Sequence, residues 1–207
     1  MNKYLVELIG TFFLVFTVGC TVIGTGVGSL APIAIGASLM VMIFAGGHIS
    51  GGHYNPAVTL GVWLRGKCNT KDLVPYWVAQ LIGSALAAAA VKFLKAGNPV
   101  MPGNWQVLPA LLAEFLFTFA LVFVVLNVAT ANGTAGNSFY GLAIGMTVMT
   151  GAFAVGNISG GAFNPAVALG ITIMGLSAWS SIWIYLVAEL LAGAVAAFTF
   201  KFVHPGD

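Results

Sequence analysis

The chain has 207 residues, of which 59% are hydrophobic and only 6% charged, with a net charge of +2. Its mean hydropathy is +1.01. Soluble domains carry about 25% charged residues, so this composition excludes a water-soluble globular domain, and the net charge is too small to suggest nucleic acid, so no nucleic-acid partner is expected. Cys20, in an apolar stretch, and Cys68, in a polar loop, are not expected to pair, and neither stands at metal-ligand spacing.

A membrane-crossing helix needs about 20 apolar residues. Six stretches meet that length, near 4–25, 31–48, 73–95, 107–130, 138–156 and 179–203. The first is too long for the apolar part of a signal peptide, contains Glu7 and leads into no polar domain, so it reads as a span. Two shorter apolar pieces, 55–64 and 164–176, reach roughly 15 Å each, about half a bilayer, and cannot cross alone.

The two halves of the chain repeat each other. His48-Ile-Ser-Gly-Gly-His-Tyr-Asn-Pro-Ala-Val58 recurs as Asn157-Ile-Ser-Gly-Gly-Ala-Phe-Asn-Pro-Ala-Val167. Glu7 with Thr11-Phe12 recurs as Glu114 with Thr118-Phe119, and Ala34-Ile35-Gly36 as Ala143-Ile144-Gly145. Tyr76-x-Val-Ala-Gln80 recurs as Tyr185-x-Val-Ala-Glu189. Each half holds three full spans, an odd number, so the halves lie inverted in the membrane and one domain spans 1–207, with repeats near 4–95 and 107–203. Inverted repeats with broken helices place their functional site where the repeats meet. Under an N-terminus-in topology Lys3, Arg65, Lys67, Lys71 and Lys201 are cytoplasmic and only Lys92 and Lys95 are outside, which favours cytoplasmic N- and C-termini.

The repeated turns have a physical reading. Asn is a strong N-cap and Pro is preferred at the first helical position, so Asn55-Pro56-Ala57 and Asn164-Pro165-Ala166 start helices. The Gly-Gly before each allows a tight turn. Non-helical backbone within a membrane is tolerated against protein or a watery cavity, so residues 50–54 and 159–163 are expected to supply carbonyl acceptors along such a cavity. By symmetry the half-helices meet end to end, and both N-termini bring about half a positive charge to one place. The Asn oxygens cap backbone while their NH₂ groups face the lumen. A neutral hydrogen-bond acceptor is held there, a cation meets an unfavourable field, and a proton would have to reverse the imposed orientation of a water file.

With these motifs the chain resembles the aquaporin and aquaglyceroporin family (major intrinsic proteins) over essentially its whole length. The resemblance implies an all-α membrane protein of six tilted helices and two re-entrant half-helices, a pore in each protomer, a homotetramer, and a structural role for Glu7 and Glu114 in anchoring the loops. The short loops resemble prokaryotic inner-membrane members. Most of the family has Arg three residues after the second motif Asn; here that residue is Val167. The other filter positions carry over to Ile35, Ala152 and Gly161, with the register of Ala152 pinned by no local motif. This filter has no Arg, no His and no aromatic wedge. Losing a guanidinium removes up to five donors and widens the passage. The expected solutes are glycerol, urea and metalloid hydroxides such as arsenous acid, with water; some bacterial arsenic-resistance-associated members also carry Val at this position.

Two other readings stay open: a channel mainly for water, and a secondary active transporter, which also uses inverted repeats. Acids in spans are functional candidates by default, so Glu7, Glu114 and Glu189 read either as proton-coupled carboxylates or as acceptors for loop N–H groups. The symmetry of Glu7 with Glu114, and of Glu189 with the neutral Gln80, favours hydrogen bonding. His48 and His53 read as packing or pore-side groups more than as a pH gate. With no phosphate loop, nucleophile–base pair or cofactor signature, neither an enzyme nor a cofactor is expected. The partners expected are lipid, water and small neutral solutes.

Overall fold

The computed structural model describes residues 2–207. Among the described residues there are eight α-helices: α1 (Asn2–Val22), α2 (Ala31–Ser50), α3 (Pro56–Leu64), α4 (Thr70–Leu94), α5 (Val107–Ala129), α6 (Tyr140–Ser159), α7 (Pro165–Met174) and α8 (Ile182–Val203). Six are long and apolar enough to cross a membrane. The helices α3 and α7 have only 9 and 10 residues.

Helix ends depart from the hydropathy reading where local chemistry overrides apolarity. The start of α4 extends back to Thr70 although Lys71 and Asp72 are polar, because Asp72 sits in the first turn, where a negative charge favours the helix dipole. Asp72 also accepts from Lys3 Nζ and Tyr4 Oη, each at 2.7 Å. In the repeated leaders, Ser50 and Ser159 are the last residues of α2 and α6, not loop residues. The helices stop at Gly51 (φ 90°) and Gly160 (φ 94°), left-handed positions that glycine occupies without steric cost.

The packing shows the same two-fold pattern as the sequence. In the first half α1 packs on α4 and α2; in the second, α5 packs on α8 and α6. The halves join where α2 crosses α6 and where each half-helix lies in the opposite half, α3 on α8 and α7 on α4. At the α2–α6 crossing a Cβ on Gly36 would sit 2.6 Å from the Gly145 carbonyl oxygen, and one on Gly145 would sit 2.5 Å from that of Gly36. Two side-chain-free positions let the backbones touch, as small residues do in membrane helix pairs.

Large apolar side chains such as Leu5, Leu86, Phe93, Leu108 and Phe202 face outward. Glu7, Gln80, Glu114 and Glu189 are fully buried. Apolar outside and polar inside suits a chain whose surroundings are lipid.

Candidate functional site

Each half-helix begins on a capping asparagine. Asn55 is extended (φ −157°), and its Oδ1 accepts from the N–H groups of Ala57 at 2.8 Å and Val58 at 3.3 Å. Asn164 is also extended (φ −163°) and accepts from Ala166 at 2.9 Å. The amide nitrogens reach across the symmetry axis. Asn55 Nδ2 donates to the Phe163 carbonyl at 2.8 Å, and Asn164 Nδ2 donates to the Tyr54 carbonyl at 2.9 Å. One of the two amide hydrogens on each Asn is therefore committed to the opposite half, and one is left for the lumen. The N-termini of α3 and α7 converge here, and their dipoles make the centre electropositive.

Buried carboxyls hold the two loops in place. Glu7 Oε1 accepts from Ser50 Oγ at 2.7 Å and His53 N at 2.9 Å, and its Oε2 from Tyr54 N at 2.6 Å and Gln80 Nε2 at 2.8 Å. Glu114 repeats this with Ser159 Oγ at 2.6 Å, Ala162 N at 3.0 Å and Phe163 N at 2.7 Å. These bonds hold Tyr54 and Phe163 at φ 48° and 49°, a region costly for bulky residues.

Not every loop carbonyl expected along the cavity is available to it. The Ser50 carbonyl accepts from Tyr76 Oη at 2.7 Å and that of Ser159 from Tyr185 Oη at 2.6 Å. Those of Tyr54 and Phe163 are taken by the asparagines. The carbonyls of 51–53 and 160–162 are left without a protein donor among the described residues.

A cavity of about 360 Å³ runs past this centre, and Ile35, Ala152, Gly161 and Val167 all line it, together with Asn55 and Asn164. The register of Ala152, which sequence spacing left unpinned, brings it to the same cavity as the other three. A second cavity, of about 410 Å³, opens on the face that carries Lys3, Lys67 and Asp72. The two cavities share His53 and Val125 in their walls. His53 is buried, lies 3.1 Å from Thr59 Oγ1 through Nδ1 and tilts against Tyr76 with ring centroids 5.1 Å apart.

Sequence reasoning missed Trp105. It comes from the 95–106 linker, lines the same cavity as Asn55, Asn164 and Val167, and lies over Gly160, where a Cβ would come within 3.3 Å of the ring. The linker is pinned to the end of α7 by the Gly103 N–H, which donates to the Leu176 carbonyl at 3.0 Å. A lone Trp in a short polar linker was the available signal. Arg65 was also read only as a positive charge. It is buried, donates from Nη2 to Asp207 Oδ1 at 2.6 Å and stacks over the Phe200 ring at 4.8 Å. Cys20 and Cys68 are both free, and burial pushes the Cys68 thiol up.

The family profile described as "Major intrinsic protein" matches residues 1–200. The chain is 38% identical over 218 aligned positions to "Glycerol uptake facilitator protein-like 6" of Lactiplantibacillus plantarum, covering 100% of both chains. It is 37% identical over 218 positions to "Aquaporin NIP1-3" of Oryza sativa subsp. japonica, covering 100% of this chain and 75% of that one. Among solved structures, the aquaglyceroporin from Plasmodium falciparum superposes with a TM-score of 0.82, covering 99% of this chain and 97% of that chain at 24% identity, a likeness of fold.

Proposed function

The chain belongs to the major intrinsic protein family, and from that premise we propose that it is a wide-filter passive channel for glycerol, urea and metalloid hydroxides such as arsenous acid, as well as water. The coarser part is plain: members of this family are membrane channels for water and small solutes, not enzymes. In this reading 1–207 is a single transmembrane domain. Asn55-Pro56-Ala57 and Asn164-Pro165-Ala166 orient the solute, Ile35, Ala152, Gly161 and Val167 form the filter, and Glu7 and Glu114 anchor the loops.

The observation that carries the wide filter is Val167. It is buried at the third position of α7, lines the cavity and offers no donor. Ile35 and Ala152 are also apolar, and Gly161 has no side chain. Polar contact there comes from loop carbonyls, which accept hydrogen bonds from any hydroxyl or amide of suitable size. The mechanism is exchange: a solute sheds water, borrows the 160–162 and 51–53 carbonyls as acceptors and an Asn amide hydrogen as donor, and moves down its gradient. Stopped-flow light scattering on proteoliposomes tests this with water, glycerol, urea and arsenous acid. Wild type should pass the larger solutes, and Val167→Arg should suppress them while sparing water. A wild type that passes water alone rejects the wide filter.

Trp105 favours a second reading, a channel mainly for water. Its ring stands in the cavity over Gly160 and supplies an aromatic wedge that the four filter positions lack. On that reading Trp105→Ala, not Val167, controls the entry of glycerol. The chain is further proposed to form a homotetramer in a prokaryotic inner membrane with both termini cytoplasmic. The five-to-two distribution of basic residues between the two faces supports this orientation.

A further inference from the structure

The two halves differ at one fully buried polar position beside the loop anchors. In the first half Gln80 Nε2 donates to Glu7 Oε2 at 2.8 Å and to Thr59 Oγ1 at 3.0 Å. The matching residues in the second half are Glu189 and Ala168. An amide donor has become a carboxyl, and a hydroxyl beside it has become a methyl.

Glu189 is 0% exposed, on the helix that packs against α5, and the repeat sets it beside Glu114 as Gln80 is set beside Glu7. Neither of its oxygens receives a hydrogen bond. The titratable groups on the elements packed around it are Glu114 of α5 and, one turn earlier on its own helix, Tyr185. The packed half-helices α3 and α7 carry no titratable side chain. An ionised Glu189 would be a second negative charge buried against the first, with no cation to offset it. Two close buried carboxyls do not both ionise. Glu114 receives three protein donors and Glu189 none, so the pair is asymmetric, and the oxygen that lacks donors is the one suited to hold a proton.

We propose that Glu189 carries a proton and donates it in a hydrogen bond to the Glu114 carboxylate, so that two acids share one proton and Glu189 serves as the neutral counterpart of Gln80. This makes Glu189 a positioning residue. Its O–H holds the Glu114 carboxylate, which holds the N–H groups of Ala162 and Phe163, which in turn set the cavity-lining segment 160–162. The positioning role rests on the channel reading; the protonation does not.

Infrared difference spectra of the full reconstituted chain, wild type minus Glu189→Gln at neutral pH, test the protonation. The chain has only five acids. Glu7, Asp72, Glu114 and Asp207 are each engaged by donors or a cation. The expected result is the carbonyl stretch of a protonated carboxylic acid in wild type and its loss in Glu189→Gln. A wild type without that band, or a band that survives in Glu189→Gln, overturns the proposal. For the positioning role, Glu189→Gln should keep the wild-type ratio of urea to water permeability and Glu189→Leu should shift it. A Leu variant with an unshifted ratio, or a Gln variant shifted as far as Leu, overturns that role. The infrared band is read without solute flux, so its failure is distinguishable from failure of the channel reading.

Discussion

Asn55 and Asn164 each divide one amide among three tasks: the oxygen caps a half-helix, one hydrogen ties the opposite loop, and the other is free for the lumen. Only a neutral amide can do all three. Asn164→Asp keeps the capping oxygen but replaces the donor 2.9 Å from the Tyr54 carbonyl by another acceptor. It also places a negative charge where two helix N-termini converge, a site that disfavours cations in the wild type. In planar bilayers the variant should conduct monovalent cations, whereas wild type should show no cation or proton current above the lipid background. Proton conduction by wild type would mean that the paired helix N-termini alone do not exclude charge. At this scale the sequence revealed the residue types and their pairing in two copies. It did not reveal that the asparagines bond to each other's loops, because those partners lie more than a hundred positions apart.

Between elements, the α2–α6 crossing joins the halves through Gly36 and Gly145, where each backbone carbonyl already occupies the space a Cβ would need. Gly145→Leu should force the helices apart. An overpacked contact of this kind costs about 1–3 kcal/mol, read as a lower unfolding midpoint in detergent. Ile35 on α2 and Ala152 on α6 should separate with the helices, so surviving protein should lose solute discrimination. Gly156, with nothing within 4 Å of its virtual Cβ, is the control position, and Gly156→Ala should leave the midpoint unchanged. The half-helices were legible as elements because a capping Asn, Pro at the first turn and a short apolar run are local signals. Their exchange between halves was not, since α3 on α8 and α7 on α4 are contacts between distant segments.

Across the whole molecule, the face bearing both chain ends is closed by a clasp. Asp207 accepts from Arg65 at the end of α3 and from the Asn132 N–H in the loop after α5. The side chains of Arg65 and Asp207 are only 7% and 10% exposed. Removing one member of a buried ion pair strands the other, at a cost of about 3 kcal/mol. Asp207→Asn should therefore lower the unfolding midpoint. Combining it with Arg65→Leu should recover part of the loss, because no charge is then left unpaired. A double variant as unstable as the sum of the singles would show the pair to be uncoupled.

By itself the sequence determined the span count, the inverted halves, the two helix starts at Asn-Pro and the absence of Arg at Val167. Hydropathy and capping act over a few residues, and an internal repeat is visible without coordinates. Tertiary structure alone decided that Ser50 and Ser159 end helices, that Trp105 enters the cavity, that Arg65 clasps Asp207 and that Glu189 is buried with neither oxygen hydrogen-bonded. Each of the side-chain contacts depends on where a backbone turn aims a group toward a segment remote in the chain. In a core lacking water, the position of a single polar atom determines which hydrogen bonds exist at all.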